Sequence, residues 1–162
     1  MAQIDTLVAS TEISSPADKL YEFFRNDMSE LVNIIPGSFK SAELIQGGEG
    51  SVGSVKLWTY DLDLNMSKPD INKNSAERGI SLSVKLETEV INDVERSITF
   101  KAIEGDVLLL YKNYKFTIDV SDGSVQWTIQ YEKAFLLAPP PDAYAAFGIM
   151  TSKLVDLYLL SH

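Results

Sequence analysis

Few kinds of side chain in this sequence are able to do chemistry. The chain has no cysteine and its single histidine is His162, so thiolate nucleophiles, zinc–thiolate sites and a Ser-His-Asp triad are excluded. Lysine, tyrosine and carboxylate side chains remain as candidate acids, bases and nucleophiles. We therefore predict no metal site and no cofactor, and any catalysis must come from these groups, from backbone amides or from the shape of a site.

The segment GEGSVGS, residues 48–54, has the spacing G-x-G-x-x-G of dinucleotide-binding loops. That fingerprint requires a helix to begin at the loop, with its amide dipole facing the pyrophosphate. Here both neighbouring segments, FKSAELIQ and SVGSVKLWTYDLDL, have the residue pattern of strands. A Walker motif is absent as well, because Gly53 is followed by Ser54 and Val55. We predict a tight connection between two strands that binds neither ATP nor NAD.

The composition and net charge of the chain limit the classes of partner that it can bind. With 45% hydrophobic and 23% charged residues, the 162-residue chain is expected to be one globular domain, residues 1–162. Its 14 basic and 23 acidic side chains give a net charge of −9, which argues against nucleic acid. No apolar run approaches the ~20 residues of a membrane span, and no secretory signal is visible. We expect a cytoplasmic protein without a membrane span, as a monomer or weak homodimer.

The positions of these groups depend on the predicted elements. A strand over 4–14 is followed by a helix with Ser15 as N-cap, a second short helix in MSELVNII, six further strands and a helix of about twenty residues capped by Asp142. The last strands are predicted in VLLLYKNYKFTIDV and SVQWTIQYEKAFLLA. This order predicts an α+β fold, an antiparallel sheet with helices gathered on one side.

Several segments resemble one plant family. The segments are SPADKLYEFFR, IIPGSFKSAELIQGGEGSVGSVKLWTY, SITFKAIEGDVLLLYKNYKFTI and WTIQYEK. They are similar to the major latex protein family, within the birch-pollen-allergen-like, pathogenesis-related class 10 superfamily. The resemblance implies a helix-grip, START-like fold: a seven-stranded antiparallel sheet curled around a long C-terminal helix, two short helices, and an internal apolar cavity. The segment 62–79 departs from the family in being longer than its usual short connection.

The family register and strand alternation imply which side chains face the cavity. They point Lys56, Trp58 and Tyr60 inward from one strand. A later strand would point inward Leu109, Tyr111, Asn113 and Lys115. We expect a cavity of several hundred Å³. The candidate ligand-binding residues are Phe23, Trp58, Tyr60, Leu109, Tyr111, Asn113, Tyr144, Phe147, Thr151 and Leu154.

Lys56, Tyr111 and Lys115 are the candidate catalytic residues. A desolvated lysine can act as a base or Schiff-base amine, and the tyrosines Tyr60, Tyr111 and Tyr144 can orient a carbonyl or donate a proton. The alternatives are that the lysines reach the rim or pair with carboxylates, and that the tyrosines are core residues.

Two main functions follow from the resemblance. The first is binding of a small lipophilic plant metabolite in the cavity. The second is a cofactor-free cyclase or isomerase that shapes a reactive terpenoid, such as an iridoid precursor, or an alkaloid intermediate. A third and weaker reading is a regulatory protein whose ligand state alters a partner interface. Residues 62–79 are expected to cover the cavity entrance and bury Leu64, Met66 or Ile71 on closing, or to be a plain surface insertion.

Overall fold

The structure is a computed structural model that describes residues 3–63 and 79–162. In this part of the chain there are seven strands, three α-helices and two one-turn 3₁₀ helices, at Met28–Glu30 and Asp106–Leu109. The strands are β1 Asp5–Glu12, β2 Phe39–Gln46, β3 Val55–Asp63, β4 Gly79–Asn92, β5 Ser97–Gly105, β6 Tyr111–Ser121 and β7 Ser124–Lys133. The helices are α1 Ala17–Asn26, α2 Leu31–Ile34 and α3 Asp142–Ser161. The predicted α+β, helix-grip fold is confirmed.

All seven strands form one antiparallel sheet in the order β1-β7-β6-β5-β4-β3-β2. Every second side chain along a strand points to the inner face of the sheet. In β6 these inward side chains are Tyr114, Phe116, Ile118 and Val120, and all four are buried. The sheet curls around α3, and the short helices α1 and α2 also pack against this helix. The core therefore lies between the inner face of the sheet and the helices.

Both predicted helix caps are wrong. Helix α1 begins at Ala17 after Pro16, and the Ser15 hydroxyl instead donates to the Asp156 carboxylate on α3. Asp142 is the first residue of α3, and no side chain caps that helix. In the first case a distant carboxylate competes successfully for the serine hydroxyl, which a local sequence pattern does not reveal.

Four strand boundaries also differ from the prediction. Strand β6 begins only at Tyr111, because residues Asp106–Leu109 form a 3₁₀ turn held by the Asp106 carboxylate, which accepts the Ser83 N–H at 2.8 Å. Strand β7 ends at Lys133 and does not continue to residue 138. Strands β3 and β4 extend to Asp63 and Gly79, which pair with each other. The rest of the predicted loop, residues 64–78 with Leu64, Met66 and Ile71, lies outside the described residues.

Helix α3 is apolar and 20 residues long, enough by length and composition alone to cross a membrane. In the fold it is the helix around which the sheet curls. Trp127 on β7 donates its indole N–H to the Ser152 hydroxyl at 2.8 Å. The Gly148 Cα lies so close to the Trp127 ring that a Cβ there would be 2.7 Å from it. Buried Ser152 and Asp156 on the inner face fit a core helix better than a lipid-facing one.

Candidate functional site

A cavity of about 80 Å³ lies between the inner face of the sheet and α3. Its walls come from α2, the preceding 3₁₀ turn, five strands, the second 3₁₀ turn and α3. The lining residues are Met28, Leu31, Phe39, Trp58, Tyr60, Val84, Leu86, Val107, Tyr114, Phe116, Trp127, Tyr144, Phe147 and Thr151. None of these described residues carries a charge, so the site favours neutral, apolar groups.

The cavity is smaller than the several hundred Å³ that we expected. Aromatic rings from different elements pack directly on one another and occupy much of the space between sheet and helix. The Phe39 and Phe147 ring centroids are 5.0 Å apart, and those of Phe116 and Trp127 are 5.1 Å apart. These distances are typical of favourable ring pairs, so the ring contacts stabilise a packing that leaves only a small cavity.

Strand β3 directs Trp58 and Tyr60 into the cavity wall, on the same face as Leu62. Lys56 does not line this cavity but a small cleft of about 20 Å³ next to it, under the glycine loop. Its ammonium donates to the Ser29 hydroxyl at 2.7 Å and forms an ion pair with Glu49. The Lys56 ammonium is thus paired with a carboxylate, which is the alternative to a catalytic role that we gave for the lysines.

Helix α3 contributes Tyr144, Phe147 and Thr151, which follow one another at helical spacing along its inner side. The Thr151 hydroxyl donates to the Phe147 carbonyl oxygen at 2.8 Å, so its proton is used within the helix. Leu154 is 37% exposed and lies away from the cavity. The prediction that Leu154 lines the cavity is therefore wrong, because position 154 is turned toward solvent.

The predicted register of β6 is wrong, because a β-bulge interrupts it between Tyr111 and Asn113. The irregularity moves every following side chain to the opposite face from the one predicted. Asn113 and Lys115 therefore lie on the outer face of the sheet, where Asn113 donates to Glu132 at 3.0 Å and Lys115 pairs with Glu89 at 3.4 Å. Neither side chain can contact a ligand in the cavity.

Three more candidates lie elsewhere. Leu109 is in the 3₁₀ turn and is 72% exposed. Phe23 is buried against Phe24 in the core but does not line the cavity. The Tyr111 ring is buried on Tyr131, and its hydroxyl donates to the Pro139 carbonyl oxygen at 2.8 Å. Burial raises the pKa of Tyr111 to about 12, so it stays protonated in this structural bond.

The polar groups of the cavity are phenols. The Tyr60 and Tyr144 hydroxyl oxygens are 2.7 Å apart and share a hydrogen bond. Tyr114 on β6 packs its ring 5.4 Å from that of Tyr144, centroid to centroid. Burial, above all, raises the pKa of each of the three side chains well above the usual tyrosine value. All three are therefore neutral near pH 7 and can donate a proton in a hydrogen bond.

The glycine loop turns the chain between β2 and β3. Gly47, Gly50 and Gly53 have φ values of 77°, 76° and 87°, in the left-handed region that glycine adopts easily. The Arg25 guanidinium donates to the Gly50 carbonyl oxygen at 2.9 Å and so ties the loop to α1. No helix begins at the loop, so it lacks the aligned amides of a dinucleotide site.

Most of the cavity wall was not predicted from the sequence. The missed residues are Met28, Leu31, Phe39, Val84, Leu86, Val107, Tyr114, Phe116 and Trp127. Phe116 and Tyr114 share one face of β6 at a spacing of two, and this alternation is visible in the sequence. Only the bulge shows that this face, and not that of Asn113 and Lys115, is the inner one.

Known proteins resemble the chain over nearly its whole length. MLP-like protein 31 of Arabidopsis thaliana is 30% identical over 96% of this chain and 85% of its own length. MLP-like protein 43 of the same plant is 29% identical over 99% of both chains. The chain spans about half the length of two longer relatives, MLP-like proteins 34 and 28, at 47% and 44%.

Solved structures show the same fold. Ginseng major latex-like protein 151 from Panax ginseng superposes with a TM-score of 0.84 at 27% identity, covering 96% of this chain and 97% of that one. Norcoclaurine synthase from Thalictrum flavum shares the fold with a TM-score of 0.66 at 17% identity, over 99% of this chain and 89% of that one. Residues 2–162 match the model of the family described as "Pathogenesis-related protein Bet v 1 family". The chain therefore belongs to the pathogenesis-related protein Bet v 1 family.

Proposed function

We propose that this protein binds a small lipophilic plant metabolite in the cavity between the sheet and α3. The observation that carries the proposal is an internal cavity whose described walls are apolar or aromatic and uncharged. Membership of the Bet v 1 family, with major latex proteins among the relatives, is consistent with this function.

The size of the cavity limits the ligand that fits without rearrangement. About 80 Å³ accommodates a small apolar group, whereas a larger metabolite must displace part of the wall. Met28 lies in that wall, and an unbranched thioether changes conformation more easily than a branched or aromatic side chain. We propose that ligand binding enlarges the cavity at the Met28 side.

Native mass spectrometry tests the proposal directly. The purified protein is incubated with a lipophilic extract of plant tissue, and the molecules retained are identified after denaturation. Val84→Phe adds a ring to the cavity wall, where Val84 is buried, and should remove the retained molecules. Val94→Phe is the matched control, because Val94 is 92% exposed. Equal retention by wild type and folded Val84→Phe, or no retention by wild type, contradicts the proposal.

A cofactor-free cyclase or isomerase is the second candidate. The observation that favours it is the Tyr60–Tyr144 pair, since two neutral phenols in an apolar site can polarise a reactive carbonyl during ring closure. Incubation with an iridoid-type dialdehyde, followed by product analysis, tests this activity. Tyr60→Phe should change the rate or the product distribution, and products identical to those formed without protein contradict catalysis.

We also propose that the protein works in the cytoplasm as a monomer or weak homodimer. The absence of cysteine means that no disulfide has to form in an oxidising compartment, and the net charge of −9 opposes close self-association. Light scattering after size-exclusion chromatography should give a mass close to the 18.0 kDa of one chain at low concentration.

A further inference from the structure

The Tyr114 hydroxyl has no hydrogen-bond partner within the described residues, although its side chain lines the cavity and the residue is only 6% exposed. Among the other hydroxyls of the described cavity wall, those of Tyr60 and Tyr144 share one hydrogen bond, and that of Thr151 donates to a carbonyl oxygen of its own helix. A buried hydroxyl without a partner is costly, so its presence in a ligand cavity calls for an explanation.

The Tyr60–Tyr144 pair has one O–H group more than its shared hydrogen bond uses. Only one of the two O–H groups of Tyr60 and Tyr144 can lie between their oxygens, and the other is free to donate. Tyr144 packs against both other tyrosines, with ring centroids 6.2 Å from Tyr60 and 5.4 Å from Tyr114. Two O–H donors, one from the pair and one from Tyr114, are therefore available on neighbouring rings of one apolar cavity.

We propose that Tyr114 and the Tyr60–Tyr144 pair bind the carbonyl oxygen of a neutral, otherwise apolar ligand. This inference rests on the proposed ligand binding, and it specifies the chemical class of the ligand. A carbonyl oxygen has two lone pairs and brings no donor of its own, so it satisfies both free O–H groups at once.

A carboxylate ligand fits the site less well. No cation lies among the described lining residues, and the chain carries a net charge of −9. Transfer of an unpaired carboxylate from water into such a cavity is strongly unfavourable. A hydrocarbon would be accepted by the walls but would leave the Tyr114 hydroxyl unpaired, as it is without ligand.

Two probes of the same shape separate the carbonyl from the hydrocarbon skeleton. Cyclohexanone and methylenecyclohexane differ only in the oxygen or methylene group that is double-bonded to the ring. Both tryptophans of the chain, Trp58 and Trp127, line the cavity, so binding of either probe should change the intrinsic fluorescence. The dissociation constants of both probes are measured for wild type, Tyr114→Phe and Tyr111→Phe.

We expect Tyr114→Phe to weaken cyclohexanone binding about three- to tenfold, the usual range for one hydrogen bond, and to leave methylenecyclohexane binding unchanged. Tyr111→Phe is the matched control, because its hydroxyl is bonded to Pro139 outside the cavity, and it should change neither. The carbonyl stretch of bound ¹³C-labelled cyclohexanone should lie at lower frequency in wild type than in Tyr114→Phe.

The outcomes distinguish this inference from the proposed function. If both probes bind and Tyr114→Phe affects them equally or not at all, the carbonyl site is wrong while cavity binding stands. If neither probe binds to wild type, both ideas fail for ligands of this size. A loss confined to cyclohexanone, with the shifted carbonyl stretch, supports the inference.

Discussion

Replacing Asp156 by asparagine should loosen α3 from the rest of the fold. The Asp156 carboxylate accepts the Ser14 N–H at 3.0 Å, the Ser15 N–H at 2.8 Å and the Ser15 hydroxyl proton. These bonds join the helix that carries Tyr144, Phe147 and Thr151 to the connection between β1 and α1. Asparagine keeps one acceptor oxygen but loses the charge, and its amide group would face a backbone N–H.

The expected loss of stability in Asp156→Asn can be estimated from the hydrogen bonds that the substitution removes. Hydrogen bonds to a charged group contribute roughly 1.5–3 kcal/mol each, and asparagine gives up at least one of them in a site that is 8% exposed. We expect the free energy of unfolding to fall by about 2–3 kcal/mol. For a chain of this length that corresponds to a decrease in Tm of about 4–12 °C.

The effect should depend on pH. Burial raises the pKa of Asp156, but the hydrogen bonds from Ser15 and Ser14 outweigh this and hold the pKa below its usual value. A carboxyl with a lowered folded-state pKa stabilises the protein above its unfolded pKa of about 4 and loses this contribution as pH falls through the folded value. The difference between wild type and Asp156→Asn should therefore be full at pH 7 and shrink below pH 4.

Urea titration and calorimetry at several pH values check this prediction. Asp122→Asn is the matched control, since it removes the same charge from a side chain that is 91% exposed, and it should change stability by less than about 0.5 kcal/mol. The reasoning is refuted if Asp156→Asn is no less stable than Asp122→Asn, or if its deficit stays the same down to pH 2.

Three other substitutions test the glycine loop and two buried tyrosines. Gly50→Val should lower the free energy of unfolding by roughly 2 kcal/mol or more, because the φ of Gly50 is 76° and the added Cβ would overlap the Asn26 side chain. Titration calorimetry should detect no micromolar binding of ATP or NAD to the wild-type protein. Saturable nucleotide binding that Gly50→Val abolishes would contradict our assignment of the loop. Tyr114→Phe should raise the free energy of unfolding of the ligand-free protein by about 1 kcal/mol by removing an unpaired buried hydroxyl, whereas Tyr111→Phe should lower it by about 1 kcal/mol. Equal thermal denaturation curves for the two tyrosine variants would contradict this assignment of the hydroxyls.

Local patterns in the sequence were sufficient for the element order, and strand alternation together with the family register indicated that Trp58 and Tyr60 on β3 face inward. The alternation of Trp58, Tyr60 and Leu62 with more polar residues is a property of neighbouring side chains, so it can be recognised without knowing the partner strands. The same holds for the glycine loop, where the strands on either side exclude a helix start. The resemblance to major latex proteins then supplied the seven-stranded sheet curled around the C-terminal helix and the expectation of a cavity.

The inner face of β6 was decided by tertiary structure. Its bulge arises where Tyr111 pairs with Lys133 and Asn113 pairs with Glu132, so it depends on partners about twenty residues further along the chain. A shift of the strand register by one residue exchanges the two faces of the strand. As a result Tyr114 and Phe116 line the cavity, and not Asn113 and Lys115 as predicted.

The sequence by itself determined which kinds of chemistry are open to this protein, because composition and local pattern depend only on the order of residues. It excluded thiolate nucleophiles and a Ser-His-Asp triad, and it left lysine, tyrosine and carboxylate side chains as the candidate groups. Tertiary structure alone decided the size of that site and the state of each hydroxyl. Cavity volume depends on how rings from separate elements pack, and whether Tyr111 or Tyr114 is free depends on whether Pro139 lies within reach. Such contacts join residues far apart in the chain, and no local pattern specifies them.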